Sequence, residues 1–158
     1  MTKLKTLSRL GKIVASERAA GKVVVLANGC FDIFHVGHIR YLREAKARGD
    51  LLIVALNSDK SVRKLKGMGR PILPQAERAE ILAAFSFVDY ITIFDEPTVE
   101  KILRQLKPDI HAKGSDYTEE SVPERETVRE YGGRVAIVGG PKVRNTSDII
   151  QRIARAKE

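Results

Sequence analysis

Val23-Val24-Val25-Leu26-Ala27 and Leu51-Leu52-Ile53-Val54-Ala55-Leu56 are two short apolar runs, and between them Ile39, Leu42 and Ala45 recur at helical spacing. Runs that are apolar at every position read as strands buried on both faces, the habit of parallel sheets. The spacing between them predicts a helix over 37–48, closed by Gly49. Strand, helix and parallel strand make a βαβ unit with a right-handed crossover.

The same alternation continues on either side. Tyr90-Ile91-Thr92-Ile93-Phe94, Ile110-His111-Ala112-Lys113 and Val135-Ala136-Ile137-Val138 read as three more strands. Helices are predicted after Pro74 (Ala79, Leu82, Ala83), from Pro97 to Leu106 before Pro108, from Pro123 to Tyr131 before Gly132-Gly133, and from about Thr146. Ahead of the first strand, Leu4, Leu7, Leu10 and Val14 form an apolar stripe, so an N-terminal helix is expected over about 3–20. Together these elements predict one α/β domain over 1–158, a doubly wound parallel five-stranded sheet of Rossmann-like type. In such sheets ligands sit at the carboxyl ends of the strands, where the strand order reverses. The residues to inspect are therefore 28–37, 57–71, 95–97, 114–118 and 139–145.

Composition bounds the partners. A chain of 158 residues with 43% hydrophobic residues buries a full core without disulfides or a structural metal. The single Cys30 fits a reducing compartment. No apolar stretch reaches membrane-span length and no signal-peptide pattern follows Met1, so a soluble, cytoplasmic protein is expected. Lys and Arg number 28 against 20 Asp and Glu, a net charge of +8 that favours polyanionic partners. With 6% aromatic residues and no Trp, a stacking surface for single-stranded nucleic acid is thin.

The loop after the first strand carries the densest chemistry: Asn28-Gly29-Cys30-Phe31-Asp32-Ile33-Phe34-His35-Val36-Gly37-His38. His35 and His38 are about one helical turn apart, and Gly37 between them leaves the backbone open to a ligand. The start of a helix favours a bound anion, and histidines there can donate hydrogen bonds to phosphate oxygens. A zinc site through Cys30, His35 and His38, a catalytic Cys30 thiol, and purely structural histidines are the competing readings; His111, inside a strand run, reads as structural. Neither G-x-x-x-x-G-K-[ST] nor G-x-G-x-x-G occurs, which disfavours P-loop NTPases and NAD-type dehydrogenases.

This loop resembles the first signature of the cytidylyltransferase-like nucleotidyltransferases, the superfamily with an H-x-G-H site. Within it the chain is most similar to the D-glycero-β-D-manno-heptose 1-phosphate adenylyltransferases, through Asn57-Ser58-Asp59, Leu65-Lys66-Gly67, Arg70-Pro71, Glu77-Arg78 and Lys113-Gly114-Ser115-Asp116-Tyr117. The resemblance implies that a sugar 1-phosphate attacks the α-phosphorus of ATP, giving an ADP-sugar and pyrophosphate. Mg²⁺ is expected as cofactor, held mainly by triphosphate oxygens, with no dedicated protein metal site. The partners implied are those two small molecules, in a protein that can form a homodimer, with no nucleic acid and no membrane.

Carried over by position, the resemblance makes His35, His38 and Lys66 the catalytic residues. Asn28, Gly29, Cys30, Phe31, Gly37, Lys64, Gly114, Asp116, Thr146 and Ser147 are expected at the nucleotide; Asp32, Asn57, Asp59, Arg78, Lys113 and Arg144 are expected at the second substrate. Lys66 is placed on a mobile loop that Gly67 and Gly69 let close. The last signature, Gly140-Pro141-Lys142-Val143-Arg144-Asn145-Thr146-Ser147-Asp148, departs from the cytidylyltransferase pattern in the place of its arginine. Two alternatives stay open at this point: a cytidylyltransferase using CTP with glycerol 3-phosphate or a phosphorylated amino alcohol, and a non-catalytic basic module for nucleotides or nucleic acid.

Overall fold

The computed structural model describes residues 2–142 and 144–156. Five parallel strands, β1 (Val24–Gly29), β2 (Leu51–Asn57), β3 (Tyr90–Phe94), β4 (Ile110–Lys113) and β5 (Arg134–Ile137), form one sheet in the order β3-β2-β1-β4-β5. The order reverses between β1 and β4, so the crevice for a ligand opens beyond Gly29 and Lys113. Among the described residues, a short 3-10 turn at Glu119–Ser121 and seven α-helices complete the fold: α1 (Leu7–Ala19), α2 (Val36–Ala47), α3 (Asp59–Lys66), α4 (Gln75–Ala83), α5 (Glu100–Leu106), α6 (Arg125–Glu130) and α7 (Thr146–Arg155).

The period of two along a strand decides which side chain meets which layer. Val25, Ala27, Leu52, Val54 and Leu56 face one side, where Leu42 and Ala45 of α2 and Ala79 and Leu82 of α4 cover them. Val24, Leu26, Leu51, Ile53 and Ala55 face the other, under Leu10 and Val14 of α1, Ile102, Leu103 and Leu106 of α5, and Val128 of α6. All seven residues of β2 are buried, as the unbroken apolar run requires.

Several expected boundaries move. α1 starts at Leu7, capped by Thr6 Oγ1, which accepts from Arg9 N–H at 3.2 Å. Lys3 to Lys5 lie beside β3 instead, with Ile91 N–H donating to Lys3 C=O and Lys5 N–H to Ile91 C=O, both at 2.9 Å. Leu10 and Val14 are buried in this molecule's own core, so the N-terminal stripe is spent within the subunit. α5 starts three residues after the expected Pro97, α6 is shorter than the expected span from Pro123 to Tyr131, and β5 begins one residue earlier, at Arg134. The largest difference is α3, which occupies most of the expected loop 57–71. It exposes most of its residues and buries only Val62 among its apolar side chains, so it carries no stripe to read.

Candidate active site

The end of β1 is shaped by aromatic packing. Phe31 sits at φ +48°, a left-handed conformation that L residues seldom adopt. It turns its ring back under Gly29, where a Cβ would meet Phe31 Cε2 at 3.0 Å. The ring is 3% exposed and packs on Phe34 (5.6 Å between centroids) and on the edge of His38 (5.1 Å). His111 Nε2 lies 2.9 Å from Asn28 Oδ1 and holds that side chain at the strand end.

On this floor the two histidines stack, with ring centroids 3.8 Å apart. His35 is the N-cap of α2: its Nδ1 accepts from Gly37 N–H at 3.1 Å, while His38 Nδ1 accepts from His35 N–H at 3.3 Å. Both Nδ1 atoms are thereby acceptors, which assigns the proton of each neutral ring to Nε2. Burial lowers the pKa of His38 to about 3, helped by the neighbouring His35; burial, then Arg144 and Lys142, lowers that of His35. The pair therefore offers two uncharged Nε2–H donors at a helix N-terminus. Gly37 has a different reason from the expected one: a Cβ there would strike the His35 ring at 2.8 Å, so its missing side chain makes room for the histidine rather than for a ligand.

Around this pair lies a cleft of about 500 Å³ at the carboxyl ends of β1, β4 and β5. Lys66, Arg70, Lys113, Lys142, Arg144 and Arg40 bring positive charge to its lining, against Asp32 and Asp116. Lys113 is buried at the end of β4, with its ammonium 4.5 Å from the Tyr117 ring centre. Burial raises the Cys30 thiol, partly opposed by Lys66, Arg78 and Arg70, which keeps it protonated and argues against a thiolate nucleophile. Among the described residues no group of three His, Cys, Asp or Glu is placed to hold a metal ion, and the Nδ1 atoms of His35 and His38 are already engaged by backbone N–H groups.

The cleft gathers Asn28, Gly29, Cys30, Phe31, Asp32, His35, Gly37, His38, Lys66, Lys113, Gly114, Asp116, Arg144, Thr146 and Ser147. Four expected contacts are corrected. Lys64 does not line the cleft; two residues before Lys66 on α3, it lies on another face of the helix. Arg78 is 0% exposed and donates to the carbonyls of Leu73, Cys30 and Asn57 and to Asp59, so it knits three loops together instead of touching substrate. Asp59 is spent on Arg78 and on Gln75 N–H, and the buried Asn57 amide donates to Ser61 Oγ. Two further details differ. Lys66 stands on the last turn of α3 rather than on a loop, with Gly67 and Gly69 at positive φ beyond it. Asn145 caps α7 in a reciprocal pair with Asp148, while Thr146 Oγ1 donates to Ile33 C=O at 3.3 Å.

Arg40, Arg70 and Tyr117 join the cleft without having been singled out as site residues in the sequence. The signal for Arg40 was available, since it lies one turn beyond Gly37 on the helix that opens at the site. Arg70 was legible only as part of Arg70-Pro71 in the resemblance, and its role was not, because its place in the cleft depends on a salt bridge to Asp32, 38 positions away.

Residues 26–153 match the family described as Cytidylyltransferase-like. The chain is 50% identical to the bifunctional protein HldE of Geobacter metallireducens and 49% identical to that of Geobacter sulfurreducens, over 98% of this chain and 31% of each relative. It thus spans about a third of the length of these curated relatives. Among solved structures, the lipopolysaccharide core biosynthesis protein from Thermoplasma volcanium aligns at a TM-score of 0.63 and 32% identity, covering 74% of this chain and 94% of that one. Pantoate-beta-alanine ligase from Francisella tularensis shares the fold, with a TM-score of 0.63 at 16% identity over 91% of this chain and 68% of that one. A family match running from the first strand into the last helix, with relatives at half identity aligned along almost the whole chain, means that this protein belongs to the cytidylyltransferase-like family of nucleotidyltransferases.

Proposed function

We propose that the protein transfers AMP from ATP to a sugar 1-phosphate, with D-glycero-β-D-manno-heptose 1-phosphate as acceptor. The observation that carries the reading is the stacked His35–His38 pair, neutral and with neither Nε2–H group bonded to an acceptor among the described residues, at the start of α2 in a cation-lined cleft. Such donors can follow charge onto phosphate oxygens as the transition state forms, and being pre-oriented they cost no reorganisation. The motif set through Lys113-Gly114-Ser115-Asp116-Tyr117, the likeness to the HldE proteins and the likeness to a lipopolysaccharide core biosynthesis protein support the sugar substrate.

The acceptor phosphate has a second pKa near 6, so at neutral pH it is an ionised nucleophile and no general base is required. Its oxygen bonds to the α-phosphorus, the bond from that phosphorus to the bridging oxygen breaks, and the electron pair departs with pyrophosphate. Lys66, Lys113, Lys142 and Arg144 neutralise the phosphates, and the histidines meet the charge that builds on the transferring group. Mg²⁺, the expected cofactor, would be held by the triphosphate's own oxygens and would supply neutralisation of charge on the phosphates. The cleft fits that arrangement: both Asp32 oxygens are taken by Arg70, Ile72 and Leu73, and Asp116 is paired with Lys142 at 2.8 Å.

Pyrophosphate release measured for each nucleoside triphosphate against a panel of sugar and polyol phosphates tests the reading. ATP with the heptose 1-phosphate is expected to lead. Preference for CTP with glycerol 3-phosphate would replace it with cytidylyl transfer, and no release with any pair would remove the enzymatic reading.

A further inference from the structure

Positive charge enters the cleft from two directions. Lys66 and Arg70 come from the connection after β2, on one flank of β1, whereas Lys113, Lys142 and Arg144 come from the ends of β4 and β5 on the other. The fields divide in the same way: Lys66 and Arg70 act on Cys30, and Arg144 and Lys142 act on His35. Between the two flanks stands the histidine pair at the start of α2.

Arg70 is held unlike a surface arginine. Asp32, 1% exposed, accepts from Arg70 Nε at 2.7 Å, from Ile72 N–H at 2.9 Å and from Leu73 N–H at 3.0 Å. Both carboxylate oxygens are thus consumed in fixing one short loop. Only Nε of Arg70 is engaged; among the described residues its two Nη nitrogens have no protein acceptor, although the side chain is 14% exposed and lines the cleft. Arg78 is the contrast, with Nε and both Nη nitrogens bonded to protein oxygens. A guanidinium anchored at Nε and open at its fork presents two donors that suit a pair of phosphate oxygens.

We propose that Arg70 receives the phosphate of the acceptor, in a subsite on the β2 flank distinct from that of the triphosphate, and that Asp32 is its positioning residue. The proposal rests on the nucleotidyl-transfer reading. Charge matching assigns the flanks. The β4 and β5 side, with Lys113, Lys142, Arg144 and the start of α7, offers more positive charge and suits the triphosphate. Lys66 and Arg70 set two cations against the one carboxylate of Asp32, the smaller positive excess, which suits a monoester of roughly −1.5 to −2 and not a triphosphate of about −4. In-line displacement also requires the nucleophile and the leaving pyrophosphate on opposite sides of the α-phosphorus, so the two anions need cations on opposite flanks of the histidines. Asp32 therefore acts at the acceptor site through Arg70, not by touching the sugar.

The test is steady-state kinetics on the full chain, with ATP and a panel of hexose and heptose 1-phosphates, for wild type, Arg70→Lys, Arg70→Gln and Asp32→Asn. Arg70→Gln should raise KM for the sugar phosphate about 30-fold, as expected for losing a charged hydrogen bond to phosphate, with KM for ATP within about twofold. Arg70→Lys, which keeps the charge without the fork, should fall in between. Asp32→Asn should raise the same KM, a selectivity that loop destabilisation alone would not produce. A rise below fivefold in Arg70→Gln, or an equal or larger change in KM for ATP, overturns the assignment while leaving nucleotidyl transfer intact. If Arg70→Gln fails to fold by thermal melting, Arg70→Lys carries the same comparison. Wild-type protein that releases no pyrophosphate with any acceptor overturns both readings.

Discussion

Three side chains carry predictions at the scale of single residues. His38→Ala should lower kcat about 10²-fold or more, the usual effect of removing one transition-state donor, and turnover within threefold of wild type would take it off the catalytic list. His38 and His111 both have folded pKa values of about 3, lowered chiefly by burial, against 6.5 in the unfolded chain. Below pH 6.5 the unfolded state binds these protons and the folded state does not. Stability should therefore fall as pH drops from 6.5 towards 3, and the urea midpoint should be lower at pH 5.0 than at pH 7.5. Equal midpoints would contradict the buried, neutral rings. Arg78 makes the third case. Replacing it with Ala leaves Asp59 without its cation and the carbonyls of Cys30, Asn57 and Leu73 without a donor, so unfolding free energy should drop by about 3 kcal/mol, at the low end for a buried pair because Asp59 is partly exposed. A loss below 1 kcal/mol in urea titration would return Arg78 to the list of substrate contacts. From sequence, Arg78 and Lys66 looked alike as basic residues near a motif. Only burial separates the arginine that joins loops from the lysine that faces the cleft.

At the scale of elements, α2 and α3 show opposite degrees of legibility. α2 was readable because its apolar stripe, the glycine inside H-x-G-H and the closing Gly49 all agree. α3 hides its apolar signal, with Val62 alone buried among its apolar side chains, yet Ser58 accepts from Ser61 N–H at 3.1 Å, Asp59 opens the first turn, and Arg63, Lys64 and Lys66 close the last. Caps and dipole charges were the available clue there, and hydrophobic periodicity was not. The start of α2 also yields a prediction that separates stability from activity. Gly37→Ala should change thermal stability little, since Ala favours a helix by up to about 1 kcal/mol over Gly while losing the His35 cap costs about as much. Its Cβ would meet the His35 ring at 2.8 Å, however, displacing it from Gly37 N–H and from His38. Turnover should fall about tenfold or more as one donor leaves its place, and wild-type kcat in this variant would show that the His35 position is not needed.

For the whole molecule, the charge of +8 now has a partial destination. Lys66, Arg70, Lys113, Lys142 and Arg144 meet at one cleft, and in the proposed reaction the two substrates together would carry about six negative charges, roughly four on the triphosphate and up to two on the monoester. No helix among the described residues is long and apolar enough to cross a membrane. If the cleft is where the basic residues act, random-sequence oligonucleotides should bind weakly at 50 mM salt and hardly at 200 mM; tight binding with a steep salt slope would restore the nucleic-acid reading. The sequence by itself determined the strand-and-helix alternation, the parallel sheet and the loop that holds the histidines, because these follow from apolar patterning and from motifs contiguous along the chain. Tertiary structure alone decided the tautomers of His35 and His38, the purpose of Gly37, the burial of Arg78 and the pairing of Asp32 with Arg70. The first two follow from how the backbone turns at the start of α2, within three residues, and the last two from which distant groups the order β3-β2-β1-β4-β5 brings into one low-dielectric space; spacing along the chain shows neither.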